Sequence, residues 1–432
     1  MLDIDFIRDN RTLVEDAAKN KQLDVDVARL LELDEQRRGL IEQAESLRQQ
    51  RNEHAQKLKG GKPSDEDIAK GKELKEQLAD VESKLEPILT EFTEFLKQVP
   101  NVPTEDTPLG ASEDENQVID SWGDKPQFDF EPKNHWEIAE ARGWIDKERA
   151  AKVTGARFAY VMGPLVQLQL AIMQFTMNVL SDEQTLQQII DNAGLSVSAK
   201  AFSGVLPPLM IREEMFEAMD RLEPRDDRYK IEGEELWLQG SAEHVMGAMH
   251  ADEILDEADL PMRLVGYATS FRKEAGTYGK DMEGIIRMHQ FDKMEMEILA
   301  TPEQGLNEHL LTVAIQEYLM QQLQLPYQKL LKCTADIGKP NARGVDLEAW
   351  LPGQDKYRET HTADFMTDYQ TRRLKTRIRR ADGQIVFAHT IDATAFAMGR
   401  AMVAVIENNQ TQDMKVKIPN VLQPYMGGRT EI

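Results

Sequence analysis

The chain has 432 residues, with 52 Lys and Arg against 76 Asp and Glu and a formal net charge of −24. With 41% hydrophobic residues it can bury a sizeable core, which excludes wholesale disorder, and one cysteine, Cys333, excludes a disulfide framework or a multi-Cys zinc site. The acidic total argues against non-specific nucleic-acid binding, although a local basic patch can still operate on an acidic protein. The start, Met1-Leu2-Asp3-Ile4-Asp5, has neither the basic nor the apolar region of a signal peptide. The longest uncharged run, 158–181, is interrupted by Pro164, Gln167, Gln169, Gln174 and Asn178. A soluble, cytoplasmic protein with no membrane span is expected.

From Leu33 a four–three rhythm passes through Arg37, Leu40, Ala44, Leu47, Arg51, His54 and Leu58, with apolar residues at most of the early positions. After Gly60-Gly61-Lys62-Pro63 it returns through Leu74, Leu78, Val81, Leu85, Ile88, Phe92, Phe95 and Val99. Such spacing draws one stripe along each of two helices, so residues 1–100 read as an antiparallel helical hairpin, a coiled-coil arm, with Pro87 kinking the second helix. Residues 48–75 carry a net charge of +3. That cluster is either a solvated coiled-coil surface or a contact for a phosphate backbone, made by Arg48, Arg51, Lys57, Lys59 and Lys62. Val99-Pro100-Asn101-Val102-Pro103 stops the hairpin. Residues 101–130 then read as an acidic linker, and 131–432 as a mixed α+β domain.

The richest stretch runs from Ser270 to Glu295. Two extended runs flank a loop with three glycines, the pattern of a long antiparallel hairpin. Arg287, Phe291 and Glu295 are four apart and so share one face of a strand. A cation, a ring and a carboxylate, each about 13 Å from the next at 3.3 Å per residue, would floor an extended ligand. The cation suits a phosphate, the ring a base, and the carboxylate an ammonium or hydroxyl. Periodicity alone equally allows an amphipathic hairpin with surface charges.

The full string is more specific. Phe271-Arg272-Lys273-Glu274-Ala275-Gly276, then Gly279, Asp281, Gly284, Arg287, His289-Gln290-Phe291, Lys293 and Glu295 resemble motif 2 of class II aminoacyl-tRNA synthetases, specifically of the seryl-tRNA synthetase family. The hairpin resembles that family's tRNA-binding arm. Thr154-Gly155-Ala156-Arg157-Phe158 and Val205-Leu206-Pro207-Pro208 resemble motif 1, the dimer interface, and Met398-Gly399-Arg400 opens a segment resembling motif 3.

The resemblance implies an antiparallel sheet domain flanked by helices, a homodimer, L-serine and tRNA(Ser) as substrates, and ATP with Mg²⁺. Arg272 would bridge the α-phosphate and the amino-acid carboxylate, with Glu274 near adenine, Phe291 stacked on it and Arg400 on the γ-phosphate. Lys273 and Arg287 would join this ATP site. Ser241, Ala242, Glu243, Glu295, Asp392 and Thr394 would surround serine. Glu359, Thr360, His361 and Thr362, inside Arg358-Glu359-Thr360-His361-Thr362, would supply ATP contacts, with Glu359 and Thr362 on Mg²⁺. The chain departs from the family where Ser-Cys-Ser-Asn becomes Thr362-Ala363-Asp364-Phe365, and where Asn-Gly-Ser-Gly becomes Asp392-Ala393-Thr394-Ala395. The connection at 220–229 replaces a family segment rich in Gly and Lys.

Two other readings are a paralogue serving another small amino acid or acceptor, which the altered pocket motivates, and a non-catalytic tRNA-binding protein. Among weaker signals, His244 and His250 are six apart, a spacing that suits no metal pair. Met288, Met294 and Met296 read as core, Cys333 as a small buried hydrophobe, and 369–380 as a basic strand or an acceptor-end contact.

Overall fold

The structure, a computed structural model, describes residues 1–59, 63–274, 281 and 283–432. Lys62 of the expected basic cluster, the Gly60-Gly61 break and motif 2 positions 275–280 and 282 lie outside the described residues. Two compact units emerge, Met1–Val102 and Pro103–Ile432.

The first unit opens with short helices at Ile4–Asp9 and Arg11–Asn20, followed by α1 (Val27–Lys57) and α2 (Asp65–Gln98). Ser64 and Asp67 form a reciprocal capping box that starts α2, and Asp26 caps α1. The seam holds Ala44, Leu78 and Val81, with Leu40 and Leu47 packed beside them. At 1.5 Å per residue, the 34-residue α2 is about 51 Å long. α2 runs through Pro87, whose exposed position lets water satisfy the carbonyl that proline leaves unpaired. Near the base, buried Asp34 gathers Arg8, Arg37 and Arg38 within 3.2 Å, so its charge is compensated where water is absent.

In the second unit the main sheet has eight strands. In chain order they are β1 (Gln117–Trp122), β2 (Ser203–Val205), β3 (Met262–Phe271), β4 (Gln290–Ala300), β5 (Tyr327–Leu331), β6 (Arg343–Leu351), β7 (Lys356–Thr367) and β8 (His389–Ala397). Their spatial order is β1-β5-β6-β7-β8-β4-β3-β2, antiparallel throughout except for the β2–β3 pair. The expected hairpin is β3–β4, in register from Met262↔Leu299 to Phe271↔Gln290.

β1 lies inside the stretch expected to be linker. It pairs with β5 at the sheet edge, and all six of its residues are exposed, so no buried face marked it in the sequence. Residues 369–380, read as a basic strand or an acceptor-end contact, form a helix at Tyr369–Leu374 before a short strand at Arg377–Arg379.

Three helices frame the sheet: α3 (Pro164–Ser181), α5 (Gly305–Gln322) and α6 (Met398–Asn408); a short α4 (Glu243–Gly247) precedes β3. α3 buries Leu165, Leu168, Ile172, Phe175 and Val179, one face at helical spacing, and starts at Pro164, where the missing N–H costs nothing. Met294 and Met296 are fully buried with these helices in one core. Among the described residues no helix is long and apolar enough to cross a membrane.

Candidate active site

β4, β7, β8 and the start of α6 enclose a cavity of about 440 Å³, within the usual size for small-molecule sites. Strand alternation decides which side chains enter it. From the β4 end come Arg287, Phe291 and Lys293; from β7 come Glu359, Thr360 and Thr362; Thr394 and Arg400 complete that wall. Glu359 and Thr360 enter together because a β-bulge opposite Leu347/Glu348 inserts an extra residue in β7. His361 is turned to the opposite face, fully buried with its ring 5.0 Å from Phe396. Its expected ATP contact is therefore corrected: burial, ahead of any partner, pulls its pKa down to about 3, and its side chain does not line the cavity.

The cations of the open end are placed by backbone and carboxylate partners. Arg272 Nε donates to Gly240 O at 2.9 Å, and its guanidinium lies 5.5 Å from the Phe291 ring centroid. Arg287 Nη1 donates to Glu274 Oε2 at 2.5 Å. Arg400 stands in the first turn of α6 and pairs with Glu359 Oε1 at 2.9 Å. Burial works against ionisation of Glu359, but Arg400 and Lys332 outweigh it and hold the carboxyl at about 2. Gly399 precedes Arg400 because a Cβ there would lie 2.9 Å from Ile285 O. Lys273, expected beside ATP, is exposed, with Nζ 5.5 Å from the Tyr229 ring centroid, and does not itself line the cavity.

Beyond Lys293 the site closes into a buried acidic end. Glu295 is fully buried; Lys293 Nζ approaches its Oε2 at 2.6 Å, Ser241 Oγ donates to the same oxygen at 3.2 Å, and Thr394 Oγ1 donates to Oε1 at 3.4 Å. Burial raises the Glu295 pKa, Lys293 opposes that rise, and Glu243 adds to it. Carboxylate oxygens of Glu243, Glu295 and Asp392 lie within 4.8 Å of one another. The Ala242 side chain packs with Met246, Leu264 and Ala268; like Ser241, Glu243, Glu295 and Asp392, it does not itself line the cavity.

Three members of this end were not singled out by the sequence reading as substrate-site residues. Lys293 lies midway between Phe291 and Glu295 on a strand, so period 2 alone would have placed it with them. Arg221 sits in the 220–229 connection and reaches Asp392 Oδ2 at 3.0 Å and Glu243 Oε1 at 3.1 Å. Glu297 is directly opposite Asp392 in the ladder, 1% exposed, with neither carboxylate oxygen hydrogen-bonded among the described residues. Burial, then the charges of Asp392 and Glu243, push its pKa well above the carboxylate range.

Of the weaker signals, His244 Nδ1 accepts from Gly240 N at 3.1 Å and His250 Nδ1 lies 2.9 Å from Glu253, both ordinary structural contacts. Cys333 is buried with Sγ 3.2 Å from Ser112 O. Met288 lines the cavity besides joining the core.

On the arm, Arg48 pairs with Glu82 at 2.8 Å while half exposed, and Arg51, Lys57 and Lys59 are exposed.

Comparison with known proteins agrees with this geometry. Residues 1–103 match the model for the seryl-tRNA synthetase N-terminal domain, and residues 228–409 the class II tRNA synthetase core domain (G, H, P, S and T). A serine--tRNA ligase from Nitrosopumilus maritimus is 37% identical over 438 residues, covering 100% of both chains. Among solved structures, the seryl-tRNA synthetase of Pyrococcus horikoshii complexed with ATP is 36% identical, covers 100% of this chain and 99% of that one, and superposes with a TM-score of 0.88. The cytoplasmic serine-tRNA ligase of Naegleria fowleri in complex with AMP is 26% identical, covering 100% and 98%, with a TM-score of 0.84. An arm and a sheet domain matched over their full joint length place this chain in the seryl-tRNA synthetase family.

Proposed function

We infer that the chain joins L-serine to ATP as seryl-adenylate and then transfers the seryl group to the 3′ end of tRNA(Ser). The observation that carries this reading is one cavity lined by Arg272, Arg287, Phe291 and Arg400 and bounded by Lys293 and Thr394, both of which contact buried Glu295 behind them. A serine carboxylate oxygen, already ionised, attacks the α-phosphorus and pyrophosphate leaves, so no general base is needed. The obstacle is the meeting of two anions, which Arg272 offsets by facing both. Phe291 supplies a stacking face for adenine, and Arg400, in the first turn of α6, faces the terminal phosphate. Glu295 takes the ammonium or hydroxyl of serine. A ribose hydroxyl at the tRNA end then attacks the carbonyl carbon and AMP leaves.

Glu359 and Thr362 fit Mg²⁺: one is an ionised carboxylate, the other a buried hydroxyl oxygen without a hydrogen-bond partner among the described residues. When bound there, Mg²⁺ would neutralise phosphate charge. The exposed apolar residues Tyr160, Met162, Val166, Leu170 and Leu206, in and around the motif 1 region, support a homodimer. A cytoplasmic location follows from the family assignment.

Charging of tRNA with labelled serine tests the reading; ATP-dependent transfer to tRNA(Ser) is expected, and adenylate formation without transfer would limit the activity to the first step. Deleting residues 34–96, which carry Arg48, Arg51, Lys57, Lys59 and Lys62, should leave ATP–pyrophosphate exchange largely intact and greatly weaken charging. Equal charging by both proteins would make the arm a structural appendage. One observation, the Arg221–Asp392 ion pair beside the serine pocket, favours a second reading with another small amino acid. Exchange driven by alanine, threonine or glycine above serine would establish it.

A further inference from the structure

We propose that Arg221 is a positioning residue for amino-acid recognition, its guanidinium pinning Glu243 and Asp392 into a fixed wall behind Glu295. This rests on the serine-activating reading of the same site.

The geometry is that of a crowded acidic pocket with two protein cations on different members. Oxygens of Glu243, Glu295 and Asp392 come within 4.8 Å of one another, and Glu297 stands directly across the ladder from Asp392. Lys293, on the cavity side, is held by Glu295 at 2.6 Å. Arg221 does not line the cavity; it reaches Asp392 at 3.0 Å and Glu243 at 3.1 Å. Its Nη2 also lies 3.4 Å from Asn341 Oδ1, and Arg228 Nε donates to Arg221 O at 3.2 Å, which ties down the connection carrying it.

Arg221 Nη2 hydrogen-bonds Asp392, while Nε lies 3.1 Å from Glu243 Oε1 as a charge pair outside hydrogen-bond geometry; one planar guanidinium fork can serve two carboxylates in this way, where lysine offers only a point charge. Arg221 favours the ionised form of both carboxylates, against a burial that pushes the Asp392 pKa well above the carboxylate range; without Arg221 both would lose that cation a few ångströms from Lys293 and from the incoming ammonium. Both carboxylates would then compete with Glu295 for those cations, and serine would bind in the wrong place. The ATP contacts of Arg272, Phe291 and Arg400 lie at the other end of the cavity and are untouched by that competition.

The test is serine-dependent ATP–pyrophosphate exchange by the full-length protein. Wild-type protein is measured first: no serine-dependent exchange would overturn the functional reading itself, separately from the role of Arg221. Arg221→Met should raise the KM for serine by about 10–100-fold, the loss expected when buried charges lose a partner. The KM for ATP should stay within about twofold, since the two ends share no partner. In an Asp392→Asn background the same Arg221→Met change should cost at least about fivefold less, because one of the two carboxylates that Arg221 holds is gone. Equal costs in both backgrounds, or serine and ATP KM values rising together, would overturn the proposal. Should Arg221→Met not fold, Arg221→Lys keeps the charge and loses the fork. A rise of about three- to tenfold in serine KM alone is then expected, and an unchanged serine KM overturns the proposal.

Discussion

The two ends of the cavity solve opposite problems with the same kinds of side chain. At the open end, Arg272, Arg287 and Arg400 line the space itself, anchored by a carbonyl or by one or two carboxylates. At the closed end the ionisable groups face one another: Arg221 with Glu243 and Asp392, Lys293 with Glu295, and beside them Glu297, whose pKa burial raises. The open end is therefore arranged to gain an interaction when substrate charge develops, whereas the closed end must hold an arrangement that already exists. Substitutions at the first should fall on rate, and at the second on amino-acid affinity and selectivity.

Arg272→Ala should widen that contrast most. It removes the group facing both reacting anions and should slow adenylate formation by about 10²–10³-fold, the usual loss for one electrostatic stabiliser; unchanged exchange by a folded variant would take Arg272 out of the site. A smaller effect is expected from pH. Because burial raises the Glu295 pKa, its carboxylate protonates as pH falls through that raised value, and the attraction for the serine ammonium is lost. Serine KM should thus climb by about tenfold between pH 8 and 5.5, a range above the ordinary glutamate value near 4.3. A flat profile would show that Glu295 stays ionised or does not meet the ammonium.

The smallest effect is on stability. Glu297 has a raised folded pKa, so its contribution to stability is complete below its unfolded pKa and is lost as pH rises through the folded one. Glu297→Gln removes that loss. Its thermal stability relative to wild type should therefore improve as pH increases from about 4.5 to 8, by about 1–3 kcal/mol for a buried group. A difference independent of pH would mean Glu297 is ionised and compensated.

The open end was largely legible in the sequence, because the motif carrying Arg272, Arg287 and Phe291 is long, although Arg287 precedes β4 and reaches the cavity from a bend rather than by strand period. The closed end was legible only in part. Glu243, Glu295 and Asp392 could be named, but the cation that holds two of them could not. Arg221 arrives from a connection with no periodicity, and only long-range packing brings it to Asp392. His361 failed for a local reason: a bulge in β7 lets Glu359, Thr360 and Thr362 face the cavity, and no spacing rule reveals a bulge in advance. β1 went unread because a fully exposed edge strand has no buried face to alternate. The arm, by contrast, follows its heptad-like stripe closely, since helix pairing depends on local spacing alone.

The most direct measurement of the central claim is ATP–pyrophosphate exchange driven by serine, alanine, glycine and threonine in parallel. A closed end built to hydrogen-bond a hydroxyl should favour serine over alanine by about 10³-fold or more in kcat/KM, because alanine leaves buried polar groups unpaired. Alanine or threonine exchange equal to or faster than that with serine would contradict the account.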